Sequence, residues 1–186
     1  KYWQAFLESC RHSKYYPGLM TILLTGVRLE EATKLEVRDF DLEGRILTVR
    51  AEVSKTGDRR NLALVESLCI VLLGRLPKSG VAFPYYWPRC QRQVKKWLTE
   101  IGVKDATGLG LGLYTLRHGF GTEAVKHFGT FEVQKMMGHA SIQTTSKYVH
   151  IDELAVEPER MDQIFRHTGG AQSLSQDSNG KKVTQK

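Results

Sequence analysis

Apolar residues recur at helical spacing through most of this chain, and one interval in which the spacing shortens to two divides it. Residues 1–11 read as an amphipathic helix, and Tyr15-Tyr16-Pro17-Gly18 predicts a break before an apolar helix over 19–24 that runs into Thr25-Gly26. Helical spacing resumes through Leu29, Ala32 and Leu35. From Asp41 the pattern changes: 46–49 and 62–65 read as strands, and the intervening S-K-T-G-D-R-R carries a Thr-Gly-Asp turn. A small antiparallel sheet with a mobile hairpin is the expectation there. Residues 66–76 are apolar enough for a buried helix closed by Pro77. An aromatic loop follows over 80–88, then a basic helix over 89–101 containing Arg92, Lys95 and Lys96.

The last third strings three helical pieces between glycine turns. Residues 114–128 place Leu116, Phe120, Ala124 and Phe128 on one face, with Gly129 as the C-terminal stop. Thr130 is placed to cap a second helix over 131–137, which Gly138 ends, and Ser141 to cap a third that carries Tyr148. Beyond it, Leu154, Met161, Ile164 and Phe165 form an apolar stripe interrupted near Pro158. Residues 169–186 are rich in Gly, Ser, Gln and Lys with almost no large apolar side chain, which predicts a disordered tail. The fold class is therefore α+β, mostly helical, with a small antiparallel sheet near residues 45–65. No internal repeat is visible.

Composition narrows the chemistry. With 186 residues, 41% hydrophobic and 25% charged, the chain suits one globular unit with a substantial core. No apolar run approaches the roughly 18 residues of a membrane helix and no signal-peptide pattern opens the chain, so a cytoplasmic location is expected. Three cysteines (Cys10, Cys69, Cys90) without C-x-x-C spacing read as buried apolar thiols, not as a disulfide or zinc framework. The net charge of +7 favours a polyanionic partner.

The polar residues that stand out lie at the seams of the glycine-punctuated helices: Tyr114 and Arg117 at one helix start, His139 just past Gly138, and Tyr148 beyond. T-G-L-G-L-G-L over 107–113 is not a nucleotide loop, because no Walker lysine follows and no βαβ strand precedes it. L-R-H-G at 116–119 lies inside a helix late in the chain, where the same tetrapeptide in histidine phosphatases follows an early strand. Aromatics at Phe83, Tyr85, Tyr86 and Trp87 read as core and loop anchors first and as base-stacking platforms second.

L-R-H-G-F-G-T, followed by M-G-H-A-S-I-Q-T-T-S-K-Y-V-H-I, resembles the C-terminal half of a tyrosine recombinase (phage integrase) catalytic domain. The family pattern is a helical arginine, a Gly-His pair, and a nucleophilic tyrosine nine residues after that histidine, as His139 and Tyr148 are spaced here. T-G-V-R-L-E-E resembles the family's first arginine motif, which makes Arg28 the first catalytic arginine and Glu31 its supporting acid. The resemblance assigns Arg28 and Arg117 to the non-bridging phosphate oxygens, Lys55 to protonation of the leaving oxygen, His139 to hydrogen bonding and Tyr148 to attack. Arg59 and Arg60 read as contacts to the DNA backbone. One departure is plain: where the family carries H-x-x-R, this chain has Tyr114-Thr-Leu-Arg117, so Tyr114 joins the candidate set as a hydrogen-bond donor.

The resemblance covers residues 18–156. It implies a catalytic unit over 1–168 followed by the tail, without the N-terminal helical domain that clamps the other side of DNA in such enzymes. It also implies double-stranded DNA with specific recombination sites, a homotetramer assembled through the C-terminal segment, and accessory DNA-bending proteins. No cofactor, metal or membrane is expected, and a prokaryotic or phage-encoded source is. Three rivals share the motif: a type IB topoisomerase, a telomere resolvase, and a non-catalytic DNA-binding relative, in whose favour only Tyr114 speaks.

Overall fold

A computed structural model describes residues 2–105, 108–138 and 161–162 of the chain. Among them run α1 (Tyr2–Cys10), α2 (Tyr16–Thr25), α3 (Leu29–Ala32), β1 (Phe40–Asp41), β2 (Ile46–Val49), β3 (Arg60–Ala63), α4 (Glu66–Leu73), α5 (Trp87–Glu100), α6 (Leu113–Ala124) and α7 (Thr130–Met137). The architecture is the expected one, a mostly helical body with a small antiparallel sheet in the order β1-β2-β3.

The centre of the body is α2, in which every residue is buried. A helix apolar all round can only be a core helix, and its two threonines bond within it: Thr21 Oγ1 donates to the Pro17 carbonyl at 2.9 Å and Thr25 Oγ1 to the Thr21 carbonyl at 2.6 Å. The break expected at Tyr15–Gly18 lies earlier, because Pro17 suits a first helical turn and Tyr16 and Gly18 fall inside the helix. Gly26 ends α2 in the left-handed region (φ 67°). A Cβ there would also lie 2.3 Å from the Phe120 ring of α6, the helix that packs most closely on α2. Leu116, Phe120 and Ala124, expected on one face, are the buried face of α6.

Strand β2 has the expected bounds and pairs with β3 in a register of Ile46 opposite Ala63 and Val49 opposite Arg60. The second strand thus starts two residues before the expected 62, bringing Arg60 out of the hairpin loop and into the ladder. The helical spacing after Gly26 yields a single turn only, α3, and α5 begins at Trp87 with Pro88 in its first turn. Arg50 fixes the base of the hairpin through Asp39 at 2.7 Å, Glu36 at 3.0 Å and Glu52 at 2.9 Å.

Most of the aromatic loop belongs to the core. Tyr85 meets Tyr15 edge-on with ring centroids 5.3 Å apart, stacks on Phe83 at 5.8 Å and touches Trp87 at 5.3 Å, while Phe83 meets Phe40 at 5.8 Å. Tyr86 alone of the four turns outward. At the other end of the chain, Met161 is buried and Asp162 accepts from Arg45 Nη2 at 2.5 Å and from the Glu66 backbone N–H at 2.9 Å. This part of the C-terminal stripe packs on its own chain, against the sheet and the start of α4. The expected third glycine-bounded helix, with His139 before it and Tyr148 on it, lies outside the described residues.

Candidate catalytic site

The site is built where α2, α3, β3, α6 and α7 end or begin. Arg28 stands immediately before α3 in extended backbone, since Gly26 has already turned the chain out of α2. Three residues on, Glu31 points back: its Oε2 accepts from the Arg28 backbone N–H at 2.9 Å and its Oε1 from Arg28 Nη1 at 3.2 Å. That carboxylate, reaching back to the N-terminal N–H, supports a helix of only one turn. Glu31 has no exposed surface, and a buried carboxylate needs compensating cations.

Most of that compensation comes from an unexpected quarter. Arg60 forks onto Glu31, Nη1 to Oε1 at 3.0 Å and Nη2 to Oε2 at 2.5 Å, the geometry in which arginine matches a carboxylate best. Burial pushes the Glu31 carboxyl up, but the Arg60 hydrogen bonds and charge, followed by Arg28, hold its pKa below the ordinary carboxylate range.

Arg117 enters from the second turn of α6 and is buried, about 5% exposed. Its Nη1 donates to the Gly26 carbonyl and its Nη2 to the Met137 carbonyl at 2.8 Å. Burial, then repulsion from Arg28 and Arg60, brings its pKa down to about 10, against which Glu31 and Tyr114 act. At neutral pH it remains charged. Three guanidiniums against one carboxylate leave this cluster an excess of two positive charges among the described residues.

The same arginines close the end of α7. The last carbonyls of a helix have no partner within it and form its negative pole. Here Met136 O accepts from Arg60 Nε at 3.3 Å, Met137 O from Arg117 and Gly138 O from Arg28 Nη2. Gly138 caps the helix in the left-handed region (φ 65°), where a Cβ would press on Arg28 Nη1 at 3.0 Å and on Arg60 at 3.1 Å. The expected stop at Gly138 is therefore also the point at which the chain is clamped before His139.

Of the candidate residues, the structure thus brings Arg28 and Arg117 together at the end of α7, with Glu31 bonded to Arg28 and Arg60 added. Lys55 is exposed in the hairpin loop, with no hydrogen bond or ion pair to a described residue. Tyr114 sits in the first turn of α6, one turn before Arg117, half exposed and without a hydrogen bond among the described residues. His139 and Tyr148 lie outside those residues. Among the described residues no three His, Cys, Asp or Glu side chains gather as a metal site would need, and no helix is long and apolar enough to cross a membrane.

With a strand starting at Leu62, sequence places Arg60 in the hairpin loop as a DNA contact; the structure places it in β3 and on Glu31. Alternation supplied the missing signal: counted back from Leu62 and Leu64, Arg60 shares the face they bury. An arginine at the edge of a buried face calls for a carboxylate.

Comparison with known proteins bears on the family and the fold. The phage integrase family matches residues 4–154. Tyrosine recombinase XerA of Saccharolobus solfataricus is 29% identical over 149 residues, 80% of this chain and 50% of that protein. Tyrosine recombinase XerC of Herpetosiphon aurantiacus is 33% identical over 146 residues, 72% of this chain and 46% of that one. The chain thus spans about half the length of these curated relatives. Among solved structures, XerH site-specific recombinase bound to difH substrate shares the fold with a TM-score of 0.59 at 24% identity, over 87% of this chain and 50% of that one.

Proposed function

The chain belongs to the phage integrase family, and from that premise we propose that it is the catalytic part of a tyrosine-type site-specific DNA recombinase. It cuts and rejoins DNA strands through a 3′-phosphotyrosyl intermediate. The observation that carries this reading is the arginine cluster. Arg28 and Arg117 each present five N–H donors and, among the described residues, each spends two of its side-chain donors, on Glu31 and three backbone carbonyls in all. Their surplus positive charge suits an anion whose charge grows during reaction, as a phosphodiester's does on reaching a pentacoordinate transition state.

In that reaction the Tyr148 oxygen forms a bond to the scissile phosphorus while the bond to the 5′ oxygen breaks. Lys55 gives the leaving oxygen its proton, and His139 hydrogen-bonds the phosphate or the nucleophile. Tyr114 stands where the family has histidine and acts as a donor, a role that requires no proton abstraction. Because the energy of the broken ester is kept in the tyrosyl link, a 5′ hydroxyl from another strand reverses the step without ATP. The motif spacing of His139 and Tyr148 supports their assignment, and Lys55, exposed and unpaired among the described residues, is free to reach a ligand.

The rest of the reading follows from the same premise. Residues 1–168 form the catalytic unit and 169–186 a dispensable tail. The partner is double-stranded DNA, supported by the net charge of +7 and by the XerH relative, whose structure holds a difH substrate. Assembly is a homotetramer through the C-terminal segment, aided by DNA-bending proteins, in the cytoplasm of a prokaryote or a phage host. The test is a library of nicked duplexes randomised around the nick, on which cleavage releases a short fragment and traps the protein. The wild-type chain should form a denaturation-resistant adduct and Tyr148→Phe none, with DNA binding retained. No wild-type adduct, or an adduct in the variant, overturns the reading. Relaxation of supercoils without a preferred trapped sequence would identify a topoisomerase instead.

A further inference from the structure

Arg60 has no role in the reaction just described, yet it holds more of the site together than either catalytic arginine. Three of its donors are engaged: two on the buried Glu31 carboxylate and one on the Met136 carbonyl at the end of α7. Its side chain is about 12% exposed, and the edge that would face a phosphate is spent on Glu31. It also opens β3, five residues after Lys55, and so anchors one leg of the loop that carries the proposed acid. A residue placed in this way acts through its neighbours.

We propose that Arg60 is a positioning residue for phosphodiester cleavage, taking up the charge of Glu31 and tying β3 to the end of α7 so that Arg28 and Arg117 keep donors free for the scissile phosphate. The inference rests on the reading above. Without Arg60, Glu31 would have only Arg28 as a direct ion-pair partner. Arg28 would then be drawn into a two-pronged pair with Glu31, or Glu31 would take up a proton and release it. Either way Arg28 is no longer aimed, and displacements of about 1 Å are worth roughly 10²-fold in rate.

A pH signature follows. Among the described residues the charged groups around Glu31 are Arg28 from the start of α3, Arg60 from β3 and Arg117 from α6. Arg60 is the foremost of the causes that lower the Glu31 pKa, so removing it raises that value in the folded protein. Below the raised value Glu31 is neutral and ceases to hold Arg28. The defect of an Arg60 variant therefore deepens as pH falls through that value, whereas the wild type is unaffected until lower pH.

Two measurements decide the matter. The first, carboxyl-carbon NMR of Glu31, needs no DNA: Arg60→Gln should raise its titration midpoint, and an unmoved midpoint overturns the proposal. The second is the rate of adduct formation on the duplex recovered from the nicked library. Arg60→Gln should cut slower by roughly 10²-fold, more so at acid pH, and Arg60→Lys, which keeps charge without the fork, should fall between. In an Arg28→Ala background Arg60→Gln should cost little, a coupling of about tenfold or more. Full additivity of the two losses would make Arg60 independent of Arg28 and overturn the proposal. Should Arg60→Gln fail to fold in a thermal melt, Arg60→Lys carries both arms. A wild-type chain that forms no adduct sinks the cleavage reading and leaves the Glu31 titration to judge Arg60.

Discussion

Three arginines meet at one place in this protein, and only two of them were legible in the sequence as members of a site. Arg28 and Arg117 came with helical motifs whose neighbours, Glu31 and the glycine turns, are short-range. Arg60 depended on where a strand starts and on a carboxylate 29 residues away. Local pattern carries the first kind of information and not the second. Lys55 is the opposite case, an exposed side chain with no hydrogen bond or ion pair to a described residue. Lys55→Ala should slow cleavage strongly, and a substrate with sulfur in place of the scissile 5′ oxygen should restore it, because a thiolate leaves without a proton. Equal impairment on both substrates would make Lys55 a phosphate contact. Tyr114, half exposed and without a hydrogen bond among the described residues, has room to meet a ligand. Tyr114→Phe should cut less than the wild type by no more than about tenfold, below the ~10²–10⁴-fold of a general base, and Tyr114→His should do at least as well as the wild type. Equal rates for the wild type and Tyr114→Phe would remove Tyr114 from the site.

At the scale of elements, most of the helices and β2 could be read from periodicity, since α2, α5 and α6 owe their form to faces that bury apolar residues. The strand β1, of two residues, was not anticipated, and neither was the early onset of β3, for both are fixed by pairing with β2 and have little pattern of their own. The aromatic loop was correctly ranked as packing first: Tyr15, Phe40, Phe83, Tyr85 and Trp87 form a connected set of rings, contacts worth about 0.5–1.5 kcal/mol each beyond their buried area. Asp162 shows how one residue joins two elements, bonding the first N–H of α4 and the guanidinium of Arg45. Asp162→Ala should cost about 1–2 kcal/mol in urea denaturation, the sum of a lost cap and a partly buried ion pair. Asp162→Asn, which keeps the cap, should cost less. An unmoved midpoint for Asp162→Ala would mean that this segment does not hold α4.

For the whole molecule, charge and chain order matter more than any contact. The excess of +7 should make DNA affinity fall steeply with salt, by at least about tenfold from roughly 50 to 200 mM, as counterions released from phosphates are lost as a driving force; a flat dependence by fluorescence anisotropy would argue against a phosphate-tracking surface. The tertiary closure was the least legible level, since the site is held by bonds between residues far apart in sequence: Arg60 to Met136 spans 76 positions, Arg117 to Gly26 spans 91 and Arg28 to Gly138 spans 110. Such separations have a consequence in time. Contacts between distant parts of a chain form late, because loop closure must precede them, and a chain made from its N-terminus has α2, α3 and β3 long before the end of α7. The arginine cluster is therefore the final thing to be finished. On refolding from denaturant, tryptophan fluorescence from Trp87 and Trp97 should recover before the ability to form the DNA adduct, and simultaneous recovery would contradict this order. A nascent or truncated chain ending short of Met136 would carry Arg28, Arg60 and Arg117 without the α7 carbonyls on which they close, so in an unfinished copy the three side chains have nothing at that end to hold them.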